Sequence, residues 1–477
     1  MLEFNDEMSD FQMISAIKNY QAKNGKITHT ATREFIAKND QKWLYNDKGE
    51  FNPQMYKIFL FREVSNHIKG GTLNLKFSDK YKSIDDYLIS YSRWNSDKKE
   101  LMERANINHM YEMEDTLLLL KESMMQHYIK PNENIFTNEY LKFNKDNRPS
   151  VTTPKIDETT NHFVHEIIGE NIYIPLTKIL SDIDYSAKFT SSFLHYSRKS
   201  SKDSPAENII YAAIIALGCN IGVRKMGKIS TGIGADKLEY VVRWFFSKDN
   251  IDEANQMILE ITDKLSLPQI YLQKKDSLHT SSDGQKFNVT VPAINATHSF
   301  KYFGTGKGIS AYSFIDEKSK LFYNSVISAS EREAGYILDG LLHNKDIESD
   351  MHSTDTHGYS EIIFGVCNSL GILFAPRIKN YNDQLLYTFK DIPRNNYESK
   401  GYKILPSKSM YIDESIIKNQ WENILRLLCS IKLGEAKAST ILKRLSSYSK
   451  QHPLYNAMKE IGRIHKTIFL LRYYDEP

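Results

Sequence analysis

Cysteine is scarce in this chain: three in 477 residues, Cys219, Cys367 and Cys429, far apart and with no CxxC pair. That spacing argues against a disulfide framework or a zinc finger and points to a reducing cytoplasm. Long apolar runs are missing too. Stretches such as Tyr211 to Leu217 fall far short of a membrane span. The start, Met1-Leu2-Glu3-Phe4-Asn5-Asp6, has neither the basic residues nor the apolar run of a signal peptide. Neither sign of charge dominates: with 62 Lys and Arg against 59 Asp and Glu, the net charge is +3. Nucleic acid is neither demanded nor excluded by such a sum, because a local patch matters more. Gly304-Thr305-Gly306-Lys307-Gly308 lacks the Walker phosphate-loop spacing, and His165-Glu166 lacks the second histidine of a zinc-protease motif. There is no internal repeat and no low-complexity tract.

What is present fits a soluble globular protein of several domains, with 41% hydrophobic and 25% charged residues. The first half reads as helical. An apolar period near 3.6 over 51–69 predicts a helix stopped by Gly70-Gly71, and a second long helix covers 110–129. A polar stretch over 142–160, with Pro149 and Pro154, reads as a linker or edge loop. Ser204, Pro205 and Glu207 supply a capping box for a helix with Ile209, Ile210, Ala213, Ile214 and Leu217 on its buried face. Helices over 235–246 and 251–265 follow, and Pro268 ends this region.

The pattern then changes. Segments 308–315 and 321–327 read as two strands of a hairpin closed by Asp316 to Lys320. Ser330 and Glu333 form a second capping box, ahead of a helix face made by Ala334, Ile337, Leu338, Leu341 and Leu342. A tight turn holds Asp355, a helix covers 360–370, and 373–379 reads as a strand. A loop-rich stretch begins near 381, and helices return over 413–432, 435–446 and 454–474. Asp283, in Ser281-Ser282-Asp283-Gly284-Gln285, and Asp355, in Thr354-Asp355-Thr356-His357-Gly358, each lie beside a strand-like segment. Strand, hairpin, helix, strand, helix, strand is the element order of an RNase H-like core, which carries an acid on its first strand and another after its fourth. Two carboxylates meeting there can hold hard divalent cations, and two ions about 3.5–4 Å apart can drive phosphoryl transfer. The fold expected is mixed α and α/β: a helical scaffold over 1–270, then an RNase H-like core over 271–477 with a loop-rich, helical insertion at about 381–450 and a helical C-terminal part.

Several motifs carry a resemblance. They are Ser282 to Phe287, Lys301-Tyr302-Phe303-Gly304, Ser353 to Glu361, Phe374-Ala375-Pro376-Arg377-Ile378, Arg444 to Ser449, and Glu460-Ile461-Gly462-Arg463-Ile464. Together they resemble the catalytic region of Tn-three-family replicative transposases, and the likeness reaches back through Leu217 to Gly222 and more weakly to about residue 50. The resemblance implies a bacterial, cytoplasmic DDE enzyme that uses Mg2+ or Mn2+. Such enzymes nick transposon 3′ ends at terminal inverted repeats and join them to target DNA, and the full-length family implies a homodimer. Asp283 and Asp355 match the family's two aspartates as catalytic metal ligands. Family members are considerably longer, with DNA-binding domains ahead of this region. The family's catalytic glutamate, which sits in an Asn-Lys-Gly-Glu-like stretch, is expected beyond Pro477. On that basis the chain alone is expected not to transpose DNA.

Other residues have two readings each. His357 contacts a phosphate or caps the next helix. Arg377 and Lys379, alternating along a strand, contact DNA phosphate or line a solvated edge. Lys437, Lys443 and Arg444, near helical spacing, face DNA or water, as do Arg224, Lys225 and Lys228. Glu361 touches the metal shell or interacts with its own helix dipole. Glu435, Glu460 and Glu476 are available acids, none promoted to third ligand. The rival functions are another RNase H-like nuclease and a non-catalytic fragment that binds DNA or a partner subunit.

Overall fold

The computed structural model describes the chain apart from residues 1, 5–10, 71–72, 79–80, 146–148, 154–172, 199–203, 273–276, 291–292, 332, 345–346, 357, 447–451 and 477. It divides into two compact units. One comprises Met1–Pro154, Ser277–Phe314 and Tyr323–Pro477; the other comprises Lys155–Asp276 and Ile315–Phe322. The protein is thus a mixture of helix and sheet, as its two periodicities imply.

In the first unit, helices α1 (Phe11–Ala22) and α2 (Pro53–Gly70) enclose a small core of Met13, Ile17, Leu44, Tyr56 and Leu60. Helix α2 fits the expected span. Helices α3 (Tyr91–Arg104) and α4 (Met113–Glu133) follow. The helical half also contains two short antiparallel ladders that periodicity did not indicate. They are β1 (Leu2–Phe4) with β2 (Leu73–Leu75), and β3 (Leu141–Phe143) with β4 (Pro149–Val151). The second ladder occupies part of the expected linker, with Pro149 at the start of its strand, where no interior ladder bond is lost.

The second unit is built from α5 (Leu176–Ala187), α6 (Glu207–Gly218), α7 (Val223–Ile229), α8 (Ala235–Phe245) and α9 (Lys248–Asp263). Phe189, Ile210, Ala213, Leu238, Val241 and Phe245 form its core. Two local expectations fail here. The Ser204 capping box does not form: Ala206 precedes α6 with extended backbone and no side-chain cap bond. Leu217 is exposed, because the buried face shifts onto Ile209, Ile210, Ala212, Ala213 and Ala216. Helix α9 begins before residue 251 because Ser247 caps it, accepting the Asn250 N–H at 3.2 Å.

A six-stranded sheet appears only after residue 276. Its strands are β5 (His279–Asn288), β6 (Thr297–His298), β7 (Lys307–Asp316), β8 (Leu321–Ser328), β9 (Met351–Thr354) and β10 (Leu373–Phe374). The order is β10-β9-β5-β7-β6, with β8 also paired to β7. Strand β9 runs parallel to both β5 and β10. The expected hairpin is present, and the Asp316 side chain accepts the Lys320 N–H at 2.8 Å to close its turn. A short helix, α10 (Phe300–Phe303), precedes β7. The expected strand over 373–379 is shorter, yet its pairing to β9 continues: the Ala375 N–H donates to the His352 carbonyl and the Arg377 N–H to the Thr354 carbonyl, both at 2.8 Å. Pro376 falls between these two donors, where its missing N–H costs no bond to β9.

Helix α11 (Ala334–Leu342) packs on this sheet. A Cβ on Gly340 would come within 2.5 Å of the Phe314 ring. Helices α12 (Glu361–Ser369), α13 (Arg394–Glu398), α14 (Glu414–Asn419), α15 (Trp421–Lys432), α16 (Ala438–Ser446) and α17 (Pro453–Asp475) complete the unit. Buried Asp339 on α11 accepts the Ser439 N–H at 3.0 Å, holding the first turn of α16. Helix α17 packs against α4, α12, α14, α15 and α16. Its contact with α12 is closest, because Gly462 and Gly365 face each other there.

Candidate metal centre

Strands β5 and β9 fix the site by register. Ser282 pairs with Thr354, so Asp283 and Asp355 are the next residues on two adjacent parallel strands. Asp283 lies within β5, not in a turn as its Asp-Gly neighbourhood suggests, and it is exposed. Asp355 follows β9 directly in the expected turn, where its carboxylate accepts the Gly358 N–H at 3.2 Å. The Asp283 carboxylate is steadied in the same way, by the Gly284 N–H at 2.7 Å. These two aspartates, 72 positions apart, share their site with a third acid. Oxygens of Asp283, Glu333 and Asp355 lie within 4.8 Å of one another.

By its spacing from Ser330, Glu333 is expected to complete a capping box. It does occupy the residue before α11, but makes no side-chain cap bond there. Its carboxylate is instead buried against β5. A Cβ on Gly284 would come within 2.6 Å of the Glu333 carboxyl carbon, so the missing side chain makes the room. The Lys286 ammonium pairs with Glu333 and donates to Ser310 Oγ at 3.0 Å. A signal for this lay in the sequence. Thr280, Ser282, Gly284 and Lys286 share one face of a two-residue period, and a face that polar needs partners from the element covering it.

Beneath the acids runs a buried polar chain. Tyr312 OH meets Ser282 Oγ at 2.8 Å, Ser282 Oγ meets His352 Nε2 at 2.9 Å, and His352 Nδ1 meets Thr280 Oγ1 at 2.8 Å. The His352 ring is stacked between Phe314 and Phe374. Burial, and then the neighbouring His279, push its pKa down to about 3, so it stays neutral. Burial likewise raises the Tyr312 phenol. The floor of the site therefore carries no charge. The Lys286 ammonium, paired with Glu333, offsets part of the acids' mutual repulsion. At an effective dielectric of about 20, two like charges 4.8 Å apart repel by roughly 3 kcal/mol, less where Asp283 opens to solvent. The three carboxylates offer only oxygen donors. That set suits a hard divalent cation.

The remaining candidates separate clearly. Glu361 does not join the cluster: it receives Arg463 at 3.1 Å and Lys459 at 3.7 Å from α17. Glu460 is buried, pairs with Arg463 and accepts the Asp413 N–H at 3.2 Å; burial raises its pKa. Glu435 pairs with Arg93 at 2.6 Å, and Glu476 is exposed at the end of α17. Arg377 and Lys379 are both exposed, just past β10, and the Arg377 backbone bonds Thr354, the residue before Asp355. Lys443 pairs with Glu331. Arg444 faces neither DNA nor water. It is 6% exposed, and its guanidinium donates to the Ile68 carbonyl at 2.7 Å, to Asn74 Oδ1 at 2.8 Å and to the carbonyls of Lys69, Tyr81 and Lys82. His357 and the motif residues Ser447 to Ser449 lie outside the described residues, as does His165-Glu166. All three cysteines are free, and burial raises the thiols of Cys367 and Cys429. Among the described residues, no helix is long and apolar enough to cross a membrane.

The chain is 30% identical over 479 residues to the transposase for transposon Tn1546 of Enterococcus faecium, covering 99% of this chain and 47% of that protein. It is 27% identical over 466 residues to the transposase for transposon Tn2501 of Escherichia coli, covering 96% and 45%. It is also 27% identical over 473 residues to the transposase for transposon Tn501 of Pseudomonas aeruginosa, covering 96% and 46%. The chain thus spans about half the length of the curated relatives it matches. The model of the Tn3 transposase DDE domain matches residues 178–477, and the chain belongs to that family.

Proposed function

We propose that this chain supplies the carboxylate site of a replicative DDE transposase, which cuts transposon 3′ ends and joins them to target DNA. The observation that carries the reading is the parallel register of β5 and β9, which sets Asp283 and Asp355 side by side from positions 72 residues apart. The sheet order supports an RNase H-like core over 271–477: the hairpin strands lie on one side of β5, and β9 and β10 on the other. Residues 1–270 then serve as a helical scaffold. Asp283 and Asp355 hold the divalent ion through their carboxylate oxygens, and the Gly284 and Gly358 amides fix those carboxylates in place. Bound Mg2+ or Mn2+ supplies Lewis-acid activation of the attacking oxygen and charge stabilisation of the leaving 3′-oxygen. Arg377 and Lys379 take DNA phosphates beside the Asp355 turn, which positions the strand without reading its sequence.

Iron mapping tests the metal reading directly. With hydrogen peroxide and ascorbate added, Fe2+ bound at a magnesium site is oxidised by the peroxide and generates hydroxyl radicals that cut nearby backbone. Cuts close to residues 283 and 355, suppressed by excess Mg2+ and lost in Asp283→Asn, are expected; cuts elsewhere only would refute the site. With Mn2+ and duplexes carrying the element's own inverted repeats, any 3′-end nicking must disappear in Asp283→Asn and Asp355→Asn. Nicking unrelated to the repeats would point instead to a general nuclease.

A further inference from the structure

Glu333 is a buried carboxylate that neither the helix it precedes nor the family's Asp-Asp-Glu pattern accounts for. It stands at the start of α11 without capping it. It is 7% exposed, a costly position for a charge unless compensated. Its oxygens point into the space shared with Asp283 and Asp355. Gly284 makes that approach possible, since any side chain there would collide with the carboxyl group. The compensating charge is the Lys286 ammonium, which has two further contacts of its own: Ser310 Oγ at 3.0 Å, and the face of Tyr302, whose ring centre lies 5.3 Å away. Lys286 can therefore give up Glu333 and remain held by a hydroxyl and a π face. In an all-oxygen cluster of three carboxylates, a divalent ion competes with an ammonium for the same carboxylate.

We propose that Glu333 is a third ligand of the metal site and that Lys286 is its resident counter-ion, which a divalent cation displaces. The proposal rests on the reading that Asp283 and Asp355 hold the ion, and it adds a ligand supplied from the β8–α11 junction. Without metal, Lys286 keeps Glu333 drawn against Gly284 and ready for use. With metal, the ammonium moves toward Ser310 and Tyr302, where it adds positive charge beside the site, suited to an incoming phosphate.

The test is Mn2+ affinity of the purified chain, read by electron paramagnetic resonance of free Mn2+, with thermal melting of every variant to confirm folding. Asp283→Asn should abolish the tight site. Glu333→Gln should weaken it by about tenfold or more, since even groups that only orient ligands are worth about 10–100-fold. Gly284→Ala, which removes no charge but fills the space of the carboxyl group, should reproduce that loss and covers the case of a Glu333 variant that fails to fold. Lys286→Met should tighten Mn2+ binding, because it removes the competitor. Gly284→Ala, which leaves both charges in place, separates ligation by Glu333 from the simple loss of a nearby negative charge. Wild-type affinity in both Glu333→Gln and Gly284→Ala overturns Glu333 as a ligand. Equal or weaker affinity in Lys286→Met overturns the displacement. If Asp283→Asn and Asp355→Asn both bind Mn2+ as wild type does, it is the underlying reading of the metal site that fails, whatever the Glu333 variants show.

Discussion

Replacing Gly462 by alanine sets two known effects against each other. Within a helix such as α17, Gly→Ala stabilises by about 1 kcal/mol through helix propensity. In this fold, however, the new methyl would lie 2.5 Å from the Glu361 carbonyl carbon and closer still to its oxygen. Carbon atoms prefer separations of about 3.5–4.0 Å, so α12 and α17 must part by roughly an ångström. The obstruction is backbone, with no rotamer to yield. The opposed glycine, Gly365, is also tight, at 2.6 Å from the Met458 carbonyl oxygen and 3.1 Å from the Gly462 nitrogen. Overpacking of this kind costs about 1–3 kcal/mol, occasionally more, and here the upper end applies. Separation would also strain the Arg463–Glu361 pair. The net expectation is a loss of about 2 kcal/mol, lowering the melting temperature by roughly 3 °C.

Thermal unfolding followed by calorimetry measures this directly. Gly218→Ala is the control: Gly218 ends α6, with open space where the methyl would sit. That variant should melt at or slightly above the wild-type temperature, with a gain below about 1 kcal/mol. A Gly462→Ala protein that melts at or above the wild type would refute the close crossing of α12 and α17. Because Glu361 begins α12 only six positions after Asp355, the same variant should also bind Mn2+ less tightly if the crossing positions the site.

Three other outcomes are expected. His352 is neutral when folded, with its pKa pushed down to about 3, whereas unfolding lets it take up a proton below about pH 6.5. Its contribution is therefore complete above pH 6.5 and falls progressively toward pH 3, by about 2 kcal/mol between pH 6.5 and 5; urea titrations at both pH values should show the drop, and His352→Gln should flatten it. Arg444→Ala should be strongly destabilising, because each orphaned buried carbonyl costs about 1–3 kcal/mol, yet should leave the salt dependence of any DNA binding by the folded protein unchanged. Arg377→Ala and Lys379→Ala should do the reverse: little change in melting temperature, and a logarithmic salt slope for DNA binding reduced by about 1 each.

The features legible in the sequence are those that depend on near neighbours. The hairpin, the apolar face from Ala334 to Leu342, and the helix ending at Gly70 are set by alternation, 3.6-residue period and stop signals within one segment. The proximity of Asp283 and Asp355 was legible too, because the element order of an RNase H-like core, and the motifs around both residues, put these two acids at the ends of neighbouring strands. What was not legible depends on partners distant in the chain. Arg444 looks like a surface cation on a helix until Ile68, Asn74 and Tyr81 surround it from more than 360 positions away. Ser204 looks like a cap, but the helix begins two residues too late for it. Glu333 is the most instructive case. Ser-x-x-Glu before an apolar run is a sound local pattern, worth at most about 2 kcal/mol as a cap. A charge-assisted bond to Lys286 is worth about 1.5–3 kcal/mol, and the gap left by Gly284 gives the carboxylate somewhere to go. Once both are in reach across the sheet, the longer-range contact outweighs the cap, and a residue read as a helix signal becomes part of the site.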